Sequence, residues 1–72
     1  MRLKINGKIK TIDHSDKELF LEALITQLGY QLQLVVVELN GVIINPKNWP
    51  ITKIKDGDCL EIVTIVGGGS YS

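Results

Sequence analysis

Apolar and polar residues alternate along the first dozen positions of the chain. Leu3 and Ile5 fall between Arg2, Lys4 and Asn6, and Ile9 stands between Lys8 and Lys10. That period of two belongs to a half-buried strand. Asn6-Gly7 divides the stretch, and this dipeptide supplies the two left-handed positions of a type I′ turn. Residues 2–12 therefore read as a β-hairpin, with Thr11-Ile12 shifting the alternation in the manner of a bulge.

The period then changes. Phe20, Leu24 and Leu28 recur at i, i+4 and i+8, and Leu21 and Ile25 widen the stripe, which is the signature of an amphipathic helix. Ser15 and Glu18 have the spacing of a capping box, so the helix is expected to begin just after Ser15. Gly29 is placed to end it in the left-handed conformation. Leu34–Leu39 is a β-branched-rich strand, and Asn40-Gly41 turns it tightly into Val42-Ile43-Ile44. Asn45–Pro50 contains two prolines, which lack ladder donors, and reads as an irregular crossover anchored by Trp49 against the sheet edge. A polar turn, Lys55-Asp56-Gly57-Asp58, precedes a last strand running from Leu60 to Val66.

One amphipathic helix covers one face of one sheet. The economical solution is an α+β fold, a mixed sheet of four to five strands packed on a single helix. The last strand should lie at the centre, parallel to the first, with a hairpin on either side. That arrangement is the ubiquitin-like β-grasp. Residues 1–66 are expected to form this domain, and residues 67–72 a flexible glycine-rich tail.

Strand parity then sorts the faces. Glu61 and Glu38 do not belong in a helix-packed core, so Leu60 and Ile62 should face Phe20, Leu24 and Leu28, with Val35, Val37 and Leu39 also inside. Val36, Val63 and Ile65 fall on the open face, close to where the tail departs, and form a candidate partner-docking surface.

Composition narrows the function. With 72 residues the chain is one small domain, too short to wall a catalytic cleft on all sides. Eight basic and eight acidic residues cancel, so the one-sided basic field of a nucleic-acid binder is missing. The apolar runs are too short to span a membrane, and the strand-like start leaves no place for a signal peptide. A single cysteine excludes an internal disulfide and fits a reducing cytoplasm. His14, the only histidine, lacks the companion ligands of a metal site. Cys59 has no adjacent base or helix N-terminus to activate it and reads as a structural thiol. No residue is assigned a catalytic role, no metal is expected, and no nucleophile–base pair or phosphate loop marks an enzyme.

The remaining chemistry lies at the end of the last strand, which runs into Gly67-Gly68-Gly69. Glycine has no Cβ, so such a thread can enter a channel that would reject any side chain. Ile5-Asn6-Gly7, Val35–Gly41, and the run Asp56–Val63 leading to Val66-Gly67-Gly68-Gly69 resemble the ThiS family, the small sulfur carriers of thiamin biosynthesis. The likeness covers nearly the whole chain. It implies a carrier and not an enzyme. In that family an adenylating (E1-like) enzyme uses ATP and magnesium to convert the terminal glycine carboxylate to an acyl-adenylate. A persulfide-derived sulfur displaces AMP, and thiazole synthase takes the sulfur from the resulting thiocarboxylate. The resemblance therefore implies three partners: the adenylating enzyme, thiazole synthase and a persulfide sulfur donor. The carrier itself would bind no cofactor and be a monomer when free.

Members of the family end at glycine, whereas here Ser70-Tyr71-Ser72 follows. Either the three residues are removed, or the pathway tolerates them, or sulfur transfer is lost or altered. With removal, Gly69 becomes the adenylated, sulfur-carrying terminus, with Gly68 as the alternative, and Gly67 and Gly68 form the thread. A molybdopterin-type sulfur carrier shares this architecture. A non-covalent ubiquitin-like interaction module would keep the extension unharmed.

Overall fold

The computed structural model describes residues 1–13 and 18–65. The first hairpin joins β1 (Arg2–Ile5) to β2 (Lys8–Thr11). Asn6 and Gly7 take φ values of 51° and 83°, the left-handed pair of a type I′ turn. Pairing runs in unbroken register from Ile5–Lys8 to Arg2–Thr11. Beyond it the Ile12 N–H donates to the Met1 carbonyl at 2.8 Å, and the Met1 ammonium donates to the Ile12 carbonyl at 3.2 Å. The bulge expected at Thr11-Ile12 does not form. Ile12 is buried because unbroken register keeps it on the face shared by Leu3 and Ile5.

The helix starts later than the capping box implied. Leu19–Phe20 forms a short strand, β3, which pairs antiparallel with β6 (Lys53–Ile54). Helix α1 (Leu21–Gln27) follows, with Phe20 extended at the N-cap and offering no side-chain cap. Ser15 lies outside the described residues, and Glu18 forms an ion pair with Lys53 instead of reaching back along the helix. The pairing buries Leu19 and Ile54, and the Leu21 N–H donates to the Thr52 carbonyl at 2.8 Å. A long-range strand contact has overridden a local helix signal.

The later start rotates the buried stripe. Leu21, Leu24 and Ile25 are completely buried, whereas Phe20 and Leu28 are half-buried. Each such side chain contributes about 1.5–3 kcal/mol by leaving water. The C-terminus closes as expected. With Gly29 at φ 92°, its N–H donates to Thr26, and the Tyr30 N–H donates to Ile25. These two bonds make a Schellman motif.

After a 3-10 turn at Leu32–Leu34 come β4 (Val35–Leu39) and β5 (Val42–Ile43), joined by Asn40 and Gly41 at φ 51° and 87°. The crossover, expected to be irregular, is a 3-10 helix, Pro46–Ile51. Asn45 caps it by accepting the Lys47 N–H at 3.0 Å. Trp49 is buried there as expected, and its indole N–H donates to the Ile44 carbonyl at 3.0 Å.

The last strand, β7 (Cys59–Thr64), takes the centre of a five-stranded sheet ordered β2-β1-β7-β4-β5. It is parallel to β1 and antiparallel to β4. Leu3, Ile5, Val35, Val37, Leu60 and Ile62 close the sheet side of one core against α1 and Trp49. This is the β-grasp. Among the described residues no helix is long and apolar enough to cross a membrane.

Candidate functional site

β7 is held from both flanks by the two Asn-Gly turns. Parallel pairing with β1 stops at Ile5–Leu60. The Asn6 side chain then continues it, accepting the Ile62 N–H at 2.7 Å and donating to the Ile62 carbonyl at 3.2 Å. On the other flank the Asn40 side chain accepts the Cys59 N–H at 3.0 Å and donates to Asp58 at 3.1 Å. Each asparagine adopts the left-handed turn; Asn6 gives its whole amide to β7, while Asn40 divides its amide between Cys59 of β7 and Asp58 in the turn before it.

The polar turn ahead of β7 is fastened just as firmly. Asp58 accepts the Lys55 N–H, Asp56 accepts the Arg2 N–H, and the Gly57 N–H donates to the Arg2 carbonyl. The strand therefore enters the sheet from a fixed point.

The residues assigned to the docking surface gather on the open face. Val36 and Val63 are register partners, and they are 37% and 60% exposed. Ile65, 50% exposed, extends the ladder by donating its N–H to the Leu34 carbonyl at 2.6 Å. Two further members emerge from the fold. Ile43, 65% exposed, lies opposite Glu38 across the β4–β5 pair, and Leu34 is exposed beside Ile65. Ile43 was legible in principle, because counting back from a two-residue Asn-Gly turn pairs Val42 with Leu39 and Ile43 with Glu38. Leu34 was not, since its place depends on where β7 ends against β4.

Where β4 outruns the short β5, a pocket of about 400 Å³ opens among Val35, Val36, Ile43, Ile44, Pro46 and Trp49. It is continuous with the apolar face through Val36 and Ile43. Cys59, half-buried at the start of β7, shares the face parity of Glu61 and Val63. Among the described residues no group of three His, Cys, Asp or Glu side chains converges as a metal site would require. Gly67, Gly68 and Gly69, the proposed thread and reactive terminus, lie outside the described residues, as does His14. In the sequence, Gly67 follows Thr64, the last residue of β7, by three positions.

Comparison with known proteins adds to this geometry. The model of the ThiS family matches residues 3–69. A thiazole synthase of Paramagnetospirillum magneticum is 39% identical over 70 residues, 97% of this chain and 21% of that protein. The chain thus spans about a fifth of that relative's length, 21%. The protein ycf40 of Pyropia yezoensis is 38% identical over 67 residues, covering 93% of this chain and 90% of that one. The crystal structure of the thiamine biosynthesis protein ThiS from Geobacter metallireducens superimposes with a TM-score of 0.81 at 37% identity, covering 96% of this chain and all of that one.

Proposed function

The chain belongs to the ThiS family, and from that premise we propose that it is a sulfur carrier protein for thiamin (thiazole) biosynthesis. The observation that carries the reading is the continuity of β7. β7 carries Val63 of the exposed apolar face and ends at Thr64, three positions before Gly67-Gly68-Gly69 in the sequence, and the family match runs through Gly69.

The chemistry follows from the weakness of a carboxylate as an electrophile. Its charge repels nucleophiles, and oxide is a poor leaving group. In the proposed cycle the Gly69 carboxylate attacks the α-phosphorus of magnesium-bound ATP on the adenylating partner and releases pyrophosphate. The terminal sulfur of a persulfide then attacks the acyl carbon and AMP leaves, giving an acyl disulfide. A thiol of the partner machinery attacks the other sulfur of that S–S bond, forming a new disulfide and releasing the glycyl thiocarboxylate. Water must be kept from the activated carbon. Glycines let the tail enter a closed site while the apolar face of Val36, Val63 and Ile65 docks outside it. The carrier is a protein co-substrate, and the partners supply the catalytic groups.

This cycle requires that Ser70-Tyr71-Ser72 be removed, because only then does Gly69 present a carboxylate. A region similar to this chain lies within a protein named thiazole synthase, which supports thiazole synthase as the sulfur acceptor and the thiamin pathway over the molybdopterin one. The cycle's demand for ATP and reduced sulfur fits a cytoplasmic location.

Intact mass spectrometry of the protein from its native cell tests the reading. The expected mass lacks Ser70-Tyr71-Ser72 and carries sulfur in place of one carboxylate oxygen. A chain that keeps its extension and is never adenylated by its own organism's activating enzyme overturns the carrier reading in favour of a non-covalent module.

A further inference from the structure

We propose that the open face of the sheet is built for a partner that presents an arginine flanked by apolar side chains. The proposal rests on the carrier reading and names what the adenylating partner must bring to the interface.

The argument begins with a like-charge pair. Glu38 and Glu61 are direct register partners on the two central antiparallel strands, both on the open face. Like charges placed opposite each other across strands destabilise a sheet. Among the described residues neither carboxylate has an ion-pair partner, the ion pair present being Glu18–Lys53. Lys4, the nearest cation in register, pairs with Cys59, two residue pairs short of the level of Glu61. The next residue on β1 beyond Ile5 is Asn6, whose amide is committed to Ile62. Among the described residues, the two negative charges at the centre of the face therefore stay unpaired.

Their surroundings make the face more than an acidic spot. Val36 and Val63 lie on one side and Ile43 on the other, all exposed, and the 400 Å³ pocket adjoins them. An apolar partner surface seated there would exclude water, and in lower dielectric an unrelieved pair of carboxylates would oppose docking. Facing residues on antiparallel strands hold their Cβ atoms roughly 4.5–5.5 Å apart. A planar guanidinium, with five donors in a fixed fork, suits two carboxylates at that separation better than a point-charge ammonium. A second copy of this chain is disfavoured as occupant, because a two-fold contact would bring four carboxylates together.

The test is equilibrium binding of the full chain to its own organism's adenylating enzyme, at low and high salt. The double variant Glu38→Gln with Glu61→Gln is expected to bind about tenfold more weakly or worse and to lose most of the salt dependence of the wild type. The same variant should melt no lower than the wild type, because a repulsion has been removed. Glu38→Lys, which creates a cross-strand attraction to Glu61, should weaken binding further while raising the melting temperature. This opposite movement of stability and affinity separates a recognition role from a structural one. If wild type and double variant bind alike, the arginine is overturned, and the carrier reading survives wherever mass spectrometry finds the thiocarboxylate. If the wild-type chain does not bind the adenylating enzyme at all, both readings fall.

Discussion

The side-chain amide of Asn6 acts as an extra rung of the sheet, bonding both the N–H and the carbonyl of Ile62 at 2.7 and 3.2 Å. It does so from a left-handed backbone at φ 51°, where a short polar side chain is tolerated and an alanine is strained. One residue therefore turns the first hairpin and fixes the strand that carries Val63 on the open face.

Asn6→Ala is expected to cost about 2–3 kcal/mol, from two lost hydrogen bonds and a strained turn position. Asn6→Gly relieves the strain and should recover roughly 1 kcal/mol of that loss. Urea unfolding of the three proteins measures both. Equal stabilities would show that the amide contributes nothing to holding β7.

Trp49 combines complete burial with one hydrogen bond to the Ile44 carbonyl. Truncation to alanine should destabilise the domain by about 3–5 kcal/mol. Trp49→Phe keeps most of the apolar volume and should cost roughly 1–3 kcal/mol, largely because the Ile44 carbonyl loses its donor. Thermal melts compared across the pair separate packing from the hydrogen bond.

Val63 is well exposed on the open face, so Val63→Asp should leave stability within about 1 kcal/mol of wild type. Affinity for the adenylating enzyme should nevertheless fall by about tenfold or more, since a charge would enter an apolar contact. Unchanged binding, measured calorimetrically, would remove Val63 from the docking surface.

Gly68 tests the thread independently of the face. Gly68→Leu should abolish thiocarboxylate formation in the native cell, read by mass spectrometry, because a side chain enters a channel fitted to glycine. Unfolding should be unaffected by the change. Persistence of the thiocarboxylate would mean that the channel does not exclude side chains at this position.

Much of the architecture was legible in the residues alone. Two Asn-Gly dipeptides, alternation around them and Gly29 at a helix end dictate local geometry through φ preferences and side-chain period, which need no distant partner. The same parity placed Val36, Val63 and Ile65 outside and Leu60 and Ile62 inside, because the charges of Glu38 and Glu61 resist burial. The start of the helix was not legible in this way. The Ser15–Glu18 spacing is a local signal, whereas Leu19–Phe20 obeys Lys53–Ile54, more than thirty positions away. The Thr11-Ile12 bulge failed for the same reason, since only the Met1–Ile12 bonds show that the register runs on.

For this protein the sequence by itself determined the turns, the faces and the glycine-bearing end, all consequences of short-range backbone and solvation energies. Only the tertiary structure decided which residues begin the helix, that asparagine amides grip β7 from both sides, and that Glu38 and Glu61 stand opposite each other. Those relations depend on which strands become neighbours and in what register. They are settled when distant segments bury their apolar surface together, which no local window of the chain contains.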